Sequence, residues 1–346
     1  DPAQGKLILI HSEGSDTLYL GDKSPTGSFV FARKSGSPDV FLTTTTLQTN
    51  IEKDLFALRD KKVLGFEKAQ VRAVDLKNKN GSFSLAKQAG EWEITSPGAY
   101  AADDTEVDKV LNRLNSERAK SFVDEEPDNF SHYGLANPSV QVDLMLGENR
   151  AKKTLYIGDQ DGAQFYAKDE SRDPVFKVDS AFVSVLNPDL YTLRLKDLAG
   201  FSNADVNRFE LEFSGQTIVC NKDTSGTWMV LEPEPRTAKS WKMSSITREA
   251  AQLEVVEFVD DDPASLAQYG LENPQARAKF YVNDVLELDV KLGDEKGENV
   301  YATVAGSESV YLVEKNVLDT WTPEFADIAE EPETPENEDT TDTPPE

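Results

Sequence analysis

The stretch HYGLANPSVQVDLML at residues 132–146 returns as QYGLENPQARAKFYV at residues 268–282. Three other blocks return in the same order: GEWEIT (90–95) as GTWMVL (226–231), YIGDQDGAQFYAK (156–168) as KLGDEKGENVYAT (291–303), and DPVFKVDSAFVSVL (173–186) as ESVYLVEKNVLDTW (308–321). The spacing is 136 residues from Trp92 to Trp228 and 135 residues from Gly158 to Gly293. Four blocks in one order at nearly one spacing indicate an internal duplication.

The residues before the first complete copy match the second half of the same unit. The segment LYLGDKSPTGSFVFARKSGSPDVFLTT (18–44) corresponds to the stretch that begins at the Gly-Asp pair, with Gly21 lying 137 residues before Gly158. We therefore predict half a unit at 1–64, complete units at 65–199 and 200–322, and a tail at 323–346. A half unit leaves uncovered the face that its other half would bury. We expect the natural protein to extend further at the N-terminus, or a partner to supply the missing half.

Each unit has the pattern of an antiparallel sheet with one or two helices packed on it. Asn80-Gly81 between two alternating runs is a hairpin signal. Residues 102–120 have apolar side chains at helical spacing: Val107, Val110, Leu111 and Leu114. Residues 140–146 alternate strictly, as a strand with one buried face does. The sequence predicts the α+β class, as tandem repeat units.

Composition excludes several classes of function. The 346 residues hold 36 Lys and Arg against 63 Asp and Glu, a net charge of −27. This balance argues against binding to nucleic acids or to an anionic membrane surface, which needs a basic face. A single cysteine, Cys220, cannot form an internal disulfide, and His11 and His132 alone leave little for a histidine metal site or triad. No apolar run reaches the ~18 residues of a membrane span.

The last residues form an acidic segment. Residues 324–346 contain no Lys or Arg and ten acids: Glu324, Asp327, Glu330, Glu331, Glu333, Glu336, Glu338, Asp339, Asp342 and Glu346. They also contain four prolines and almost nothing to bury. We predict that this Pro-rich tail is disordered.

Two acidic triplets at equivalent positions are weak candidates for a metal site. They are Asp124, Glu125 and Glu126 in one unit, and Asp260, Asp261 and Asp262 in the other. Clustered carboxylates suit Ca²⁺, but neither triplet lies in a twelve-residue calcium loop. The alternative is that these acids favour the N-terminal end of a following short helix.

The residues that repeat are expected to be structural rather than catalytic: Trp92, Tyr133, Gly134, Leu135, Pro138, Gly158, Trp228, Tyr269, Gly270, Leu271, Pro274 and Gly293. Gly134 and Gly270 would provide a turn with positive φ, and the prolines would fix the start of the next strand. We expect Trp92 and Trp228 to be core residues, although an exposed Trp could stack on a sugar. Cys220 is expected to be a small core residue.

These blocks together resemble a bacterial family, the domain-of-unknown-function family 4340. The resemblance covers nearly all of residues 7–322, and the Tyr-Gly-Leu-x-x-Pro block is its most specific element. The second unit departs from the pattern where Lys239, Ser240 and Trp241 replace the Ala-Asp start of the helix. The resemblance implies an extracytoplasmic protein of the cell envelope, periplasmic or at the cell surface, with an N-terminal membrane anchor. It also implies genes near gliding-type ABC transporter components, and it carries no catalytic residues.

We therefore expect a non-enzymatic binding or assembly module of the bacterial envelope, accessory to an ABC transporter and without a cofactor. Its partner would be an envelope or membrane protein, and the anchor would lie outside this chain. The alternative is a glycan- or calcium-binding envelope protein. A carboxylate-dependent hydrolase ranks lower, because nothing marks out one acid pair among 63 acids.

Overall fold

The structure is a computed structural model that describes residues 3–307 and 309–331. Its first sheet has four antiparallel strands in the order β1-β2-β3-β4. The elements of this part are β1 (Gly5–His11), β2 (Gly14–Lys23), β3 (Phe29–Lys34), β4 (Val40–Thr44), α1 (Thr45–Ile51) and α2 (Leu55–Leu58). The core of this sheet is small: Leu20, Val30 and Ala32 are buried, with Leu18, Leu47 and Ile51 packed against them.

The second sheet has nine strands in the order β8-β7-β6-β5-β10-β11-β12-β13-β9. Its elements are β5 (Val71–Asn78), β6 (Gly81–Gln88), β7 (Glu91–Ser96), β8 (Tyr100–Ala101), α3 (Asp104–Ser116), β9 (Ser121–Asp124), β10 (Val140–Leu146), β11 (Ala151–Asp161), β12 (Gln164–Asp169), β13 (Val175–Asp179), α4 (Ser180–Val185) and α5 (Leu190–Leu193). Short 3-10 turns lie at Lys68–Gln70 and Phe130–Tyr133.

The third sheet also has nine strands, in the order β17-β16-β15-β14-β19-β20-β21-β22-β18. Its elements are β14 (Val206–Phe213), β15 (Gln216–Lys222), β16 (Trp228–Glu232), β17 (Arg236–Thr237), α6 (Ser240–Ala251), β18 (Glu257–Asp260), β19 (Ala276–Val282), β20 (Val285–Lys296), β21 (Asn299–Val304), β22 (Val310–Glu314), α7 (Asn316–Trp321) and α8 (Phe325–Ile328), with a 3-10 turn at Ala267–Tyr269.

The strand order is the same in the two nine-stranded sheets when each strand is replaced by its counterpart nine strands later. The chain is an α+β protein dominated by antiparallel sheet, as predicted. By internal contacts it divides into two compact units, Asp1–Ala86 with Asp108–Asn187, and Lys87–Val107 with Pro188–Glu346. This division does not follow the repeat spacing, so the predicted boundaries at 64, 199 and 322 stay predictions.

Local sequence signals account for most of these elements. The hairpin expected at Asn80-Gly81 joins β5 to β6, with Asn78 paired to Gly81. Helix α3 is found as predicted, with its four apolar side chains buried, but it ends at Ser116 rather than near 120. The reason is that the next residues form backbone contacts with another segment: the Ala119 N–H donates to the Lys61 carbonyl at 2.7 Å.

The third sheet has a well-packed aromatic core. The rings of Phe280 and Trp321 lie 5.2 Å apart, and those of Phe209 and Trp228 lie 5.3 Å apart. Helix α6 contributes Met243, Ile246 and Ala250 to the same cluster, which is the face expected from their spacing. No helix within the described residues is both long enough and apolar enough to cross a membrane.

The predicted disordered tail begins too early. Helix α8 lies inside the range 323–346, and its Ile328 is fully buried in the core of the third sheet. The Ile328 carbonyl also accepts a hydrogen bond from the Lys239 N–H at 2.7 Å. The prediction is therefore wrong for residues 325–329, because two apolar side chains, Ile328 and Ala329, tie this acidic stretch to the sheet. The rest of the prediction, from 332 onward, falls outside the described residues.

Leu9 and Leu144 occupy equivalent strand positions with opposite environments. Gly5 faces Leu20 across β1 and β2, and Val140 faces Ile157 across β10 and β11, so Leu9 and Leu144 each lie four residues further on. Leu9 is 58% exposed, whereas Leu144 is 0% exposed.

This pair gives a direct test of the packing. Leu144→Ala should lower the free energy of unfolding by about 2–5 kcal/mol, because it opens a cavity in a closed core. Leu9→Ala should change it by less than about 0.5 kcal/mol, as exposed substitutions do. Denaturant unfolding followed by circular dichroism measures both. Equal losses in the two variants would contradict the environments described for them.

Candidate functional site

The first acid of each predicted metal triplet is held by a tyrosine hydroxyl. Tyr133 donates to Asp124 at 2.8 Å, and Tyr269 donates to Asp260 at 2.9 Å. The hydrogen bond to the carboxylate is the main reason that the pKa of each tyrosine is raised above its usual value, since ionisation would place two negative charges side by side. Each carboxylate therefore has a structural partner within its own unit.

The second acid of each triplet is paired with an arginine that also lies over a phenylalanine ring. Arg194 binds Asp261 through two hydrogen bonds of 2.9 and 2.7 Å, and its guanidinium carbon lies 3.6 Å from the centre of the Phe258 ring. At the equivalent place Arg59 pairs with Glu125 and lies 3.6 Å from the centre of the Phe122 ring. Planar stacking plus a forked ion pair is a geometry that arginine provides and lysine does not.

The Arg194 side chain lies between two aromatic rings. Tyr100 lies on it with its ring centre 3.9 Å from the guanidinium carbon. The pKa of Tyr100 is raised, first by burial and then by its hydrogen bond to Asp261. Arg194 itself is 6% exposed. A charge this buried needs its partners, so Asp261, Phe258 and Tyr100 form one joint around it.

The acidic triplets are thus committed to the fold rather than arranged around a cation. Within the described residues no group of three or more His, Cys, Asp or Glu side chains is placed to hold a metal ion. The capping alternative is also wrong in detail. The 3-10 turn at Phe130–Tyr133 is capped by Asn129, which accepts from the Ser131 N–H, and the turn at Ala267–Tyr269 has no side-chain cap.

The Tyr-Gly-Leu turn is fitted closely against the Gly-Asp pair of its unit. Gly134 has φ of 68° and Gly270 has φ of 70°, the left-handed conformation expected for the turn. A Cβ atom at Gly158 would overlap the Tyr133 carbonyl oxygen, and one at Gly293 would overlap that of Tyr269. Two glycines from separate sequence blocks are therefore required by a single contact.

The aromatic rings complete this contact. The Tyr133 ring lies 5.1 Å from the Tyr166 ring, and the Tyr269 ring lies 5.1 Å from the Tyr301 ring. Leu135 and Leu271 are buried beside the strand glycines. Pro138 and Pro274 each lie two residues before a strand, at Val140 and Ala276. The three repeated blocks thus meet in one cluster in each copy.

The remaining candidate residues have local roles. Trp92 and Trp228 are 3% and 8% exposed, so neither offers a ring face to a sugar. Cys220 is fully buried, and burial raises the pKa of its thiol to about 12, which keeps it protonated and unreactive. His11 lies on exposed β1 with its Nε2 3.6 Å from Asp16, and His132 lies in the 3-10 turn.

Two clefts of moderate size are candidates for ligand binding. One, of about 560 Å³, lies on the first sheet and is lined by Ala3, Tyr19, Leu20, Gly21, Phe31, Ala32, Arg33 and Val40. The other, of about 460 Å³, is lined by Glu91, Trp92, Glu93, Ala99, Tyr100, Ala101, Ala102, Asp104 and Leu195. The linings hold no nucleophile next to a base; they suit recognition rather than chemistry.

Sequence reasoning missed Arg59 and Arg194. Both end the repeated words DLFALR (54–59) and DLYTLR (189–194), so the signal was present. Their partners lie 63 and 64 residues further on, at Phe122 and Phe258, and no local pattern joins residues that far apart.

The comparison with protein families agrees with this geometry. The family model described as "Domain of unknown function (DUF4340)" matches residues 1–93, 92–263 and 228–338. The chain belongs to this family. The three overlapping matches follow the same recurrence as the repeated blocks, so the blocks at the Tyr-Gly-Leu cluster are blocks of a DUF4340 protein. Neither the curated proteins nor the solved structures compared with it provide a match.

The Arg194 joint can be tested by truncation. Arg194→Ala should lower the free energy of unfolding by about 2–3 kcal/mol, because it leaves Asp261 unpaired and two rings unstacked. Arg194→Lys should recover only part of this loss, since an ammonium group cannot form the forked pair. The matched control is Arg248→Ala on exposed α6, with an expected change of under about 0.5 kcal/mol. Equal changes at Arg194 and Arg248 in chemical denaturation would refute the joint.

Proposed function

We propose that this DUF4340 protein is a non-enzymatic binding and assembly module that works through its first sheet. The observation that carries the proposal is the exposure of large apolar side chains on this sheet. Eight of them are exposed: Ile8, Leu9, Ile10, Phe29, Phe31, Val40, Phe41 and Leu42. Apolar surface of this kind marks an interaction site in a folded protein.

Free sheet edges support the same function. Strand β1 pairs with β2 alone and strand β4 pairs with β3 alone in the described part of the chain. Each outer edge therefore offers backbone N–H and C=O groups to a further strand. Strand addition supplies affinity through the main chain and specificity through alternate side chains. A polypeptide partner uses both features, whereas a small ligand uses neither.

We further propose that the two nine-stranded sheets are tandem copies of one unit, and that the first sheet is the second half of such a unit. The matching strand orders and the repeated Tyr-Gly-Leu and arginine contacts support this interpretation. Placement in the cell envelope, a membrane anchor outside this chain and an ABC transporter as partner rest on the resemblance to the family alone.

Glycan or calcium binding is the weaker proposal. The repeated Trp side chains are buried, and the first two acids of each triplet are bound to tyrosine or arginine. A carboxylate hydrolase has no specific support, because these same acids have structural partners.

The proposal can be tested by site-directed photo-crosslinking in native bacterial membranes. A photoreactive residue at Phe41, 47% exposed on the first sheet, should crosslink to a discrete envelope or transporter protein identified by mass spectrometry. The same residue at Val285, 58% exposed in another sheet, is the matched control and should give no such product. Identical products at the two positions, or none from Phe41, would exclude the first sheet as a binding surface.

A further inference from the structure

We propose that the cleft beside Gly21 and the free edge of β4 bind a polypeptide segment of the form Phe-Val-Asp followed by Tyr-Gly-Leu, supplied by a further unit of this family. This inference rests on the proposed function and names the partner. The argument uses the two places in this chain where such a segment is already bound.

In the second sheet the segment occupies the edge of β13 and the surface around Gly158. Phe122 on β9 faces Phe176 on β13, and their rings lie 6.2 Å apart. Eleven residues later the Tyr133 ring packs against the Tyr166 ring. The carbonyl oxygen of Tyr133 fills the space that a side chain at Gly158 would need.

The third sheet binds its own segment in the same way. Phe258 on β18 faces Tyr311 on β22, with ring centres 6.0 Å apart. Again eleven residues later, the Tyr269 ring packs against the Tyr301 ring, and its carbonyl oxygen lies where a side chain at Gly293 would be. The spacing from Phe to Tyr is therefore a property of the segment.

The first sheet has the receiving half of this arrangement. Leu20 pairs with Ala32 as Ile157 pairs with Ala167, and Ala32 pairs with Phe41 as Ala167 pairs with Phe176. Gly21, Phe31 and Phe41 therefore correspond to Gly158, Tyr166 and Phe176. The cleft of about 560 Å³ lies on Gly21 and Phe31, where the other sheets hold a tyrosine turn.

Exposure separates the first sheet from the other two at these positions. Phe41 is 47% exposed, whereas Phe176 is 1% and Tyr311 is 8% exposed. Val40 next to it is 61% exposed, whereas Val175 is fully buried beneath the equivalent strand. The side chains that a Phe-Val-Asp strand covers elsewhere are thus present and uncovered.

Gly21 has no requirement within its own sheet. Its φ is outside the left-handed region, and a Cβ atom there would lie 3.7 Å from the nearest heavy atom, the Phe31 carbonyl oxygen. An alanine or a valine at this position would therefore be accommodated. A glycine is required there only if another backbone approaches as closely as Tyr133 approaches Gly158.

A cationic side chain completes the surface. In the second sheet the Lys168 ammonium lies 5.2 Å from the centre of the Phe130 ring, within the docked turn. Arg33 follows Ala32 as Lys168 follows Ala167, and it also lines the cleft. An aromatic residue three positions before the tyrosine of the bound segment would have the same contact with Arg33.

The test is a binding titration with the full chain and a fluorescent peptide, SFVDEEPDNFSHYGLANP, which is the sequence of residues 121–138. Saturable binding by anisotropy is expected for the unchanged protein. Gly21→Val should weaken binding at least about tenfold, because its side chain meets the tyrosine carbonyl, while leaving the melting temperature unchanged. The matched peptide control carries valine at the position of Gly134 and should not bind, because the turn needs positive φ.

A fused version removes weak affinity as an explanation for failure. Residues 121–138 are joined directly to Gln4, because the Gln4 N–H donates to the Leu20 carbonyl as the Ser139 N–H donates to the Ile157 carbonyl, both at 2.8 Å. Fusion gives a high effective concentration. Hydrogen exchange at Val40–Thr44 should slow at least about tenfold, and Gly21→Val should abolish the slowing.

Three outcomes overturn the proposal: unchanged exchange in the fused protein, equal binding by Gly21→Val, and a dimer formed by exchange of this segment between two copies of the chain. These results are separable from the crosslinking test. A crosslink from Phe41 to a protein without a Phe-Val-Asp and Tyr-Gly-Leu segment would keep the binding module and reject this partner.

Discussion

The contact between a tyrosine carbonyl and a glycine in the neighbouring strand is the constraint on which each nine-stranded sheet depends. Gly158 and Gly293 have no room for a side chain because the backbone of the Tyr-Gly-Leu turn lies against them. The turn can take that position because Gly134 and Gly270 have positive φ. Since one contact needs glycine on both sides, the two most specific sequence blocks of the family recur together.

The same turn links the sheet edge to the acidic segment before it. The hydroxyls of Tyr133 and Tyr269 bind Asp124 and Asp260, which end the edge strands β9 and β18. The adjacent acid then binds an arginine that lies over the phenylalanine of that edge strand. Each acidic triplet is therefore a structural joint, and its charge stabilises the position of an edge rather than a metal ion.

The sequence could predict what is local or repeated. The hairpin at Asn80-Gly81, the amphipathic α3 and the positive φ of Gly134 and Gly270 all follow from residue type and spacing, and the structure confirms them. The four-residue helices α5 and α8 were not predictable, because four residues are too few to show a helical period. This also explains the tail boundary, since the acids around Ile328 conceal a buried turn.

Partners of the candidate site were harder to predict than its members. The acids of the triplets were identified from sequence, but the arginines that bind them lie more than 60 residues earlier in the chain. The open surface of the first sheet follows from the repeat pattern, because half a unit must leave a face uncovered. Its chemical preference required the bound copies, in which residue-by-residue contacts with the equivalent surface are visible.

The most direct test of this account compares the free energies of unfolding of Gly158→Ala and Gly21→Ala. The two glycines hold equivalent strand positions, and only Gly158 has a tyrosine backbone against it. We predict a loss of at least about 2 kcal/mol for Gly158→Ala, as forced overpacking produces, and no measurable loss for Gly21→Ala. Equal stability of the two variants would contradict the central role of the turn.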